Sequence, residues 1–88
     1  MDKRFEEVVV LSNTGGRTII PITSRVGLNG RKTFSFSIQR EFYKDNEVMR
    51  TPWLFRRDIL DIRVLLDDLE RAIEEEEERD RRALQEGQ

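Results

Sequence analysis

The spacing of apolar residues changes near residue 58, and this change limits the folds open to the chain. In the preceding part, apolar and polar residues tend to alternate, as they do in half-buried β-strands. In the following part, apolar residues recur at spacings of three and four, at Ile59, Ile62, Leu66, Leu69 and Ile73, and Leu65 and Ala72 widen this stripe. That spacing is typical of one helix face. The sequence therefore predicts an α+β domain in which one long C-terminal helix covers the apolar face of a sheet.

Four strands are predicted in the first part of the chain, because four β-prone segments alternate with turn sequences. The strands are Phe5 to Ser12, Arg17 to Leu28, Thr33 to Tyr43 and Val48 to Arg56. The turns contain Asn13 to Gly16, Asn29-Gly30 and Lys44 to Glu47. Since all three connections are short, we expect a four-stranded antiparallel meander, with the order of elements ββββα.

The second hairpin has two possible registers. A two-residue Asn29-Gly30 loop would mix apolar and polar residues on each face of the sheet. A three-residue loop, with Gly30 in the left-handed conformation, instead pairs Ile22 with Phe36 and keeps the faces distinct. We therefore predict the three-residue loop, and an irregularity at Pro21, which has no N–H to donate to a sheet.

This register gives the sheet one apolar and one polar face. A four-residue third turn, Lys44 to Glu47, extends the pattern and places Arg50 on the polar face. The large aromatic residues are then expected in the core: Phe34, Phe36, Phe42, Trp53 and Phe55. Alternation places Arg40 on this same apolar face, where an isolated cation is costly. We therefore expect it at the margin of the sheet, beside a carboxylate or in a subunit interface.

The helix is expected to begin at Asp58, whose side chain can cap the first turn. The alternative is a start at Thr51 with Pro52 in the first turn, but it would remove Trp53 from the sheet. We assign residues 1–73 to the folded domain, because the apolar stripe ends there.

Residues 74–88 form a charged extension of this helix, which we expect to be solvent-exposed and frayed at its end. It is predicted to carry i,i+4 pairs of Glu75, Glu77 and Glu78 with the arginines at 79, 81 and 82. An alternative is that this acidic extension contacts a basic partner, or shields the basic face of the protein when nucleic acid is absent.

The chain contains no Cys and no His among its 88 residues. This excludes disulfides and the common zinc sites, and it removes the thiol and imidazole groups on which much enzyme chemistry depends. We expect a protein that is not an enzyme and that has no metal, cofactor or small-molecule substrate. A core of this size is marginal, so we expect a homodimer.

The sequence also lacks the signals of membrane or secreted proteins. No apolar run approaches the roughly 20 residues that span a bilayer, and the N-terminus lacks the apolar segment of a secretory signal. We expect no membrane association and a cytoplasmic location, or a nuclear one if the source is eukaryotic.

The net charge of −2 conceals an asymmetry between the two parts of the chain. Residues 1–57 contain 11 basic and 6 acidic residues, a net charge of +5, whereas residues 58–88 contain 5 and 12, a net charge of −7. Basic and hydroxyl side chains of the first part suit contacts with nucleic-acid phosphates. The candidate nucleic-acid-binding residues are Arg17, Arg25, Arg31, Lys32, Ser35, Ser37, Arg40, Tyr43, Lys44, Arg50, Arg56 and Arg57. The alternative is that these residues only form the solvated side of an antiparallel sheet.

A family resemblance adds to these expectations. The segment 40–45, Arg-Glu-Phe-Tyr-Lys-Asp, and the later Pro52, in a chain of four strands and a helix, resemble the positive cofactor four family of transcriptional coactivators. The resemblance spans about residues 17–73. It implies a homodimer packed partly through its helices, with paired basic channels for single-stranded DNA. It also implies DNA-contacting roles for Arg40, Tyr43 and Lys44.

The sequence therefore predicts a non-enzymatic protein that binds single-stranded nucleic acid, namely DNA, with low sequence specificity, in transcription or replication. The alternative is a protein-interaction or assembly module that uses a sheet edge or the Glu-rich helix.

Overall fold

The chain folds into an antiparallel sheet of five strands with one C-terminal helix, so the predicted α+β class is confirmed. The computed structural model describes residues 6–12 and 17–86. The strands are β1 (Glu6–Ser12), β2 (Thr18–Val26), β3 (Lys32–Phe36), β4 (Gln39–Lys44) and β5 (Glu47–Thr51), and the helix is α1 (Asp58–Glu86). The predicted turn at residues 13–16 lies outside the described residues.

The described strands are arranged around β2. β1 pairs along one edge of β2, β3 and β4 share the other edge, and β5 pairs with β4. β3 and β4 therefore follow one another along β2, and together they correspond to the predicted strand Thr33 to Tyr43. The sheet has five strands instead of four because this predicted strand is interrupted.

Pro21 explains the position of the interruption. The ladder between β2 and β3 ends at the pair of Ile22 and Phe36. At the next position the N–H of Ser37 donates to the carbonyl of Pro21 over 3.4 Å, but Pro21 has no N–H with which to return the bond. Pairing with β2 resumes at Gln39, in β4. The irregularity predicted at Pro21 is thus confirmed.

Two tight turns set the registers of the hairpins. The β2–β3 turn has Gly30 at a φ of 81°, and it gives the register predicted for a three-residue loop. The β4–β5 turn has two residues, Asp45 and Asn46, with φ of 53° and 65°. This turn is shorter than the predicted four-residue turn. The register is unchanged, because the pair of Lys44 and Glu47 extends the same ladder.

Asp58 attaches the start of the helix to the sheet. The residue is 4% exposed, and its Oδ1 accepts a hydrogen bond from the Thr18 hydroxyl over 3.1 Å. Its Oδ2 accepts the N–H of Phe55 over 2.7 Å and lies 3.8 Å from Nε of Arg40. The helix begins at Asp58 as predicted, and Arg40 has one of its expected neighbours, a carboxylate. The carboxylate therefore holds the segment just before the helix and contacts β2 and β4.

The apolar core is small and lies between α1 and the centre of the sheet. Its fully buried members are Ile20, Ile22, Leu65 and Leu69. Partly buried residues pack around them: Val9, Leu11, Phe34, Ile38, Ala72 and Ile73. Ile59 and Leu66 were predicted to face the sheet but are exposed. The helix therefore presents a stripe centred on Leu65 and Leu69, which is rotated relative to the predicted one.

Three of the five aromatic residues that were predicted for the core are exposed. Trp53 is 80%, Phe55 55% and Phe36 48% exposed. β5 ends at Thr51, so the predicted strand to Arg56 is too long, and Trp53 and Phe55 lie in the connection to α1. In addition, the backbone of α1 approaches β1, β2 and β3 but not β4 or β5, and Asp58 contacts β4 through its side chain, beside Arg40. The apolar side of the β4–β5 hairpin is therefore left uncovered by the helix.

The acidic extension continues α1 without a break to Glu86. Within the described helix, the only predicted i,i+4 pair that forms is that of Glu78 with Arg82, while Arg79 and Arg81 pair with carboxylates three residues earlier. No helix among the described residues is long and apolar enough to cross a membrane.

Replacing Asp58 with alanine should strongly destabilise the fold. Asp58→Ala leaves the Thr18 hydroxyl and the Arg40 guanidinium without their carboxylate, and we expect the free energy of unfolding to fall by about 3 kcal/mol. Urea denaturation at fixed protein concentration measures this change. Asp67→Ala removes an exposed carboxylate from the same helix and serves as the control. Equal losses in the two variants would contradict the anchoring role of Asp58.

Candidate nucleic-acid interface

The side of the sheet opposite α1, which we call the open face, carries the polar side chains. α1 covers Ile20 and Ile22, and side chains alternate along a strand, so the odd-numbered residues of β2 point away from the helix. In antiparallel pairs the residues directly opposite share a face, so Arg25 joins Thr33 on the open face and Thr23 joins Ser35. These neighbours agree with the predicted register.

Hydroxyl groups follow one another along the β2–β3 part of the open face. The Thr23 and Ser35 hydroxyl oxygens lie 2.9 Å apart, within hydrogen-bonding distance. The Ser37 hydroxyl accepts a hydrogen bond from the side-chain amide of Gln39 over 2.7 Å. Ser35 and Ser37 are both exposed. Because a hydroxyl can donate one bond and accept two, each keeps capacity for a ligand beyond these contacts.

The open face is concave. Nη1 of Arg50, in β5, lies 2.5 Å from Oε2 of Glu7, in β1, although β2 and β4 separate these strands in the sheet. In a flat sheet the two strands would be about 14 Å apart, and the two residues would also be offset by about 20 Å along β2, since Glu7 is opposite Thr23 and Arg50 is level with Arg17. The sheet must therefore curl toward the open face to bring the side chains into contact. Ile19 belongs to this face by its parity, yet it is only 2% exposed. A buried centre with exposed polar residues around it fits a concave surface.

The charge of Arg50 is largely balanced inside this surface. Arg50 has a second acidic neighbour besides Glu7. Its Nε lies 4.0 Å from Oε2 of Glu41, which is opposite Arg50 in the β4–β5 ladder. Arg50 therefore shapes the open face more than it adds positive charge to it.

Arg17 and Tyr43 lie at one end of the open face, far from Arg25. The carbonyl of Arg17 accepts the N–H of Glu41 over 2.8 Å, which continues the pairing of β2 with β4. Arg17 and Arg25 are eight residues apart along β2, which corresponds to about 26 Å. Tyr43 is further along β4 and is 74% exposed. The face thus has a basic residue near each end and an exposed aromatic ring beyond one of them.

Five predicted site residues do not lie on the open face. One is Lys32, which is opposite Val26 in the ladder and therefore on the same side of the sheet as Ile22. Arg40 is on the helix side, where its guanidinium is 4.6 Å from the centre of the Phe55 ring and close to Asp58. Lys44 lies four residues after Arg40 in β4, so it is on the same side of the sheet. Arg56 and Arg57 lie in the connection before α1, outside the sheet.

These last two arginines belong to a second basic surface that the sequence did not reveal. Arg56, Arg57 and Arg63 line a shallow depression together with Ile59 and Leu60. The helix brings Arg63 beside the other two because it lies about two turns after them. Helical periodicity alone places these residues near one another, but only the exposure of Ile59 indicates that they face solvent.

Arg31 and Lys32 lie at the tip of the β2–β3 hairpin and have acidic neighbours. They line a depression with Glu77, Asp80 and Arg81 of α1, and the backbone N–H of Lys32 donates to Oδ2 of Asp80 over 3.0 Å. The length of the helix explains the contact between Asp80 and Lys32. From Asp58 to Asp80 the helix spans about 33 Å, which is enough to run alongside β2 and reach the tip.

Within the described part of the chain, no group of three or more acidic side chains is arranged to hold a metal ion. Comparisons with protein-family models, with curated proteins and with solved structures find no match.

A double-mutant cycle on Glu7 and Arg50 tests the curl of the sheet. We expect a coupling free energy of about 0.2–1 kcal/mol between Glu7→Gln and Arg50→Gln, because the pair is partly exposed, and a decrease as salt is added. Urea unfolding of the four proteins measures it. Coupling indistinguishable from zero at low salt would show that the two strands do not approach each other across the open face.

Proposed function

We propose that this protein binds single-stranded nucleic acid, namely DNA, on the open face and with low sequence specificity. One observation carries the proposal: the concave side of the sheet presents exposed hydroxyl and guanidinium groups along β2 and β3, opposite the helix. Such groups are the usual partners of phosphate and sugar oxygens, and contacts of this kind carry no direct sequence information.

The proposed mechanism uses each part of the face differently. Arg17, Arg25 and Arg31 neutralise phosphates along the strand, while Ser35 and Ser37 donate hydrogen bonds to its backbone. Tyr43, beyond the Arg17 end, offers a ring on which a base can stack, whatever its identity. A single strand is flexible enough to follow a curled face, whereas a duplex, with a persistence length of about 50 nm, resists such bending.

We further propose that the protein is not an enzyme and acts by holding unpaired strands, in transcription or replication, in the cytoplasm or nucleus. The open face presents hydroxyls and arginines, with no imidazole or thiol anywhere in the sequence. Arg40 is assigned a structural role beside Asp58, and Lys44 lies off the open face. Of the three residues carried over by the family resemblance, Tyr43 is therefore the one left for nucleic acid on this face. Membership of the positive cofactor four family stays a prediction.

We also propose that the protein is a homodimer in which a second copy covers the apolar side of the β4–β5 hairpin. Phe42 and Met49 lie opposite each other on this side, and α1 does not reach them. The buried apolar side chains among the described residues are few, and the chain has no cysteine for a disulfide. Covering further apolar surface is the remaining source of stability for a domain of this size.

A second candidate function is favoured by the same exposed residues. Trp53, Leu54 and Phe55 lie together in the connection before α1, and all three are exposed. Aromatic side chains of this kind are enriched in protein interfaces. If a different protein covers them, the chain is an interaction or assembly module.

Replacing Arg25 with glutamine should weaken binding to a labelled oligothymidine. We expect about a three- to tenfold loss of affinity at low salt, and a decrease of about 0.7 in the slope of log K against log salt, because one phosphate contact is lost. Fluorescence polarisation at several salt concentrations measures both.

The matched control is Arg71→Gln, which removes the same charge from α1, where Arg71 pairs with Asp68. Equal losses for Arg25→Gln and Arg71→Gln would mean that net charge, and not the open face, determines binding. No binding by the unaltered protein at low salt would refute the proposed function.

Replacing Met49 with lysine should convert the dimer to a monomer. The new charge would enter the apolar surface between the two copies, where burial of an unpaired cation is costly. Val48→Lys is the control, because Val48 lies on the opposite side of the same strand. Sedimentation equilibrium distinguishes the two variants. A wild-type protein that is monomeric at all concentrations would contradict the proposal, as would equal effects of both substitutions.

A further inference from the structure

We propose that the acidic part of α1 competes with nucleic acid for the tip of the β2–β3 hairpin. The tip is defined by Arg31 and Lys32, and the competing carboxylates are Glu77 and Asp80. This inference rests on the proposed function and adds regulation to it: the helix occupies one end of the nucleic-acid path until a polyanion displaces it.

The contact with Asp80 uses a backbone group that points out of the sheet. Arg31 accepts a hydrogen bond from the N–H of Gly27, and Ser37 donates to Pro21, so the odd-numbered residues of the hairpin are those that bond across to β2. The N–H of Lys32 therefore points away from β2, at the free edge of β3. Asp80 accepts this N–H over 3.0 Å.

The carboxylate of Asp80 takes the place that a phosphate would take. Phosphate oxygens in nucleic-acid complexes accept hydrogen bonds from backbone N–H groups and from Lys and Arg side chains. The tip provides this combination, with one outward N–H between two cationic side chains, and Asp80 provides an anionic oxygen at hydrogen-bonding distance. The helix thus presents an internal analogue of the ligand that the tip is proposed to bind.

The charges around the tip favour the contact between α1 and the tip without making it permanent. Glu77 and Asp80 face Arg31 and Lys32, while Arg81 pairs with Glu78, whose Oε2 is 2.6 Å from Nη2 of Arg81 and which also pairs with Arg82. Arg31 and Lys32 are exposed, and interactions between exposed charges are weak and screened by salt. A strand that brings several phosphates at once can therefore displace two carboxylates.

The packing of α1 also allows this displacement. The apolar cluster between helix and sheet extends along α1 only as far as Ile73, among the residues that the structure describes. Asp80 lies about two turns beyond this point, so polar contacts attach that part of the helix to the tip. Releasing it exposes no part of the core.

The test compares two double variants that remove the same charge from the same helix. Glu77→Gln with Asp80→Asn removes the carboxylates at the tip, whereas Glu74→Gln with Glu75→Gln removes two exposed carboxylates away from it. We expect the first pair to bind labelled oligothymidine about five- to tenfold more tightly than the wild type at low salt. The Glu74 and Glu75 variant should gain less than half as much affinity for oligothymidine.

The outcomes separate this inference from the proposed function. If the wild type binds and the Glu77 and Asp80 variant binds equally well, competition is overturned while the function stands. Equal gains in both double variants also overturn it, because net charge would then explain the effect. If none of the three proteins binds at low salt, both proposals fail.

The amide resonance of Lys32 gives a second readout in the unaltered protein. Adding oligothymidine should move the Lys32 amide proton and nitrogen shifts toward their values in the Glu77 and Asp80 variant, since Asp80 leaves the N–H. A Lys32 resonance that stays in place when the protein is saturated with DNA would overturn the inference.

Discussion

The buried carboxylate of Asp58 is the interaction on which the arrangement of this protein depends. It joins the start of α1 to Thr18 in β2 and to Arg40 in β4, and it also holds the chain just before the helix through the N–H of Phe55. Because the helix starts at this point and runs alongside β2, it covers one side of the sheet and leaves the other side open. The same starting point determines that Asp80 arrives at the hairpin tip.

The shape of the open face depends on two further features. Pro21 cannot donate a hydrogen bond, so pairing along β2 is interrupted and the long strand of the prediction becomes β3 and β4. The ion pair of Glu7 with Arg50 then joins the two outer parts of the curled sheet. Together these features turn the polar side of the sheet into a concave surface. The ion pair also offsets the charge of Arg50, so the remaining arginines have to provide the attraction for phosphates.

Local patterns in the sequence were sufficient for much of the fold. The register of the β2–β3 hairpin follows from alternation and from Gly30, and the helix start follows from Asp58, since both depend on neighbouring residues. The exposure of Trp53 was not predictable in this way, because it depends on where β5 ends and on which strands the helix covers. For the candidate site, alternation placed Arg25 correctly by face. The contact of Asp80 with Lys32 joins residues 48 positions apart, and only the length of the assembled helix reveals it.

The most direct test of the central claim is to map the binding of a single-stranded oligonucleotide on the protein by amide chemical shifts. We expect the largest changes on the open face, at Thr23, Arg25 and Ser35, while Leu65 and Leu69 on the buried side of the helix stay unchanged. Changes confined to the depression lined by Arg56, Arg57 and Arg63, or no changes at low salt, would contradict it.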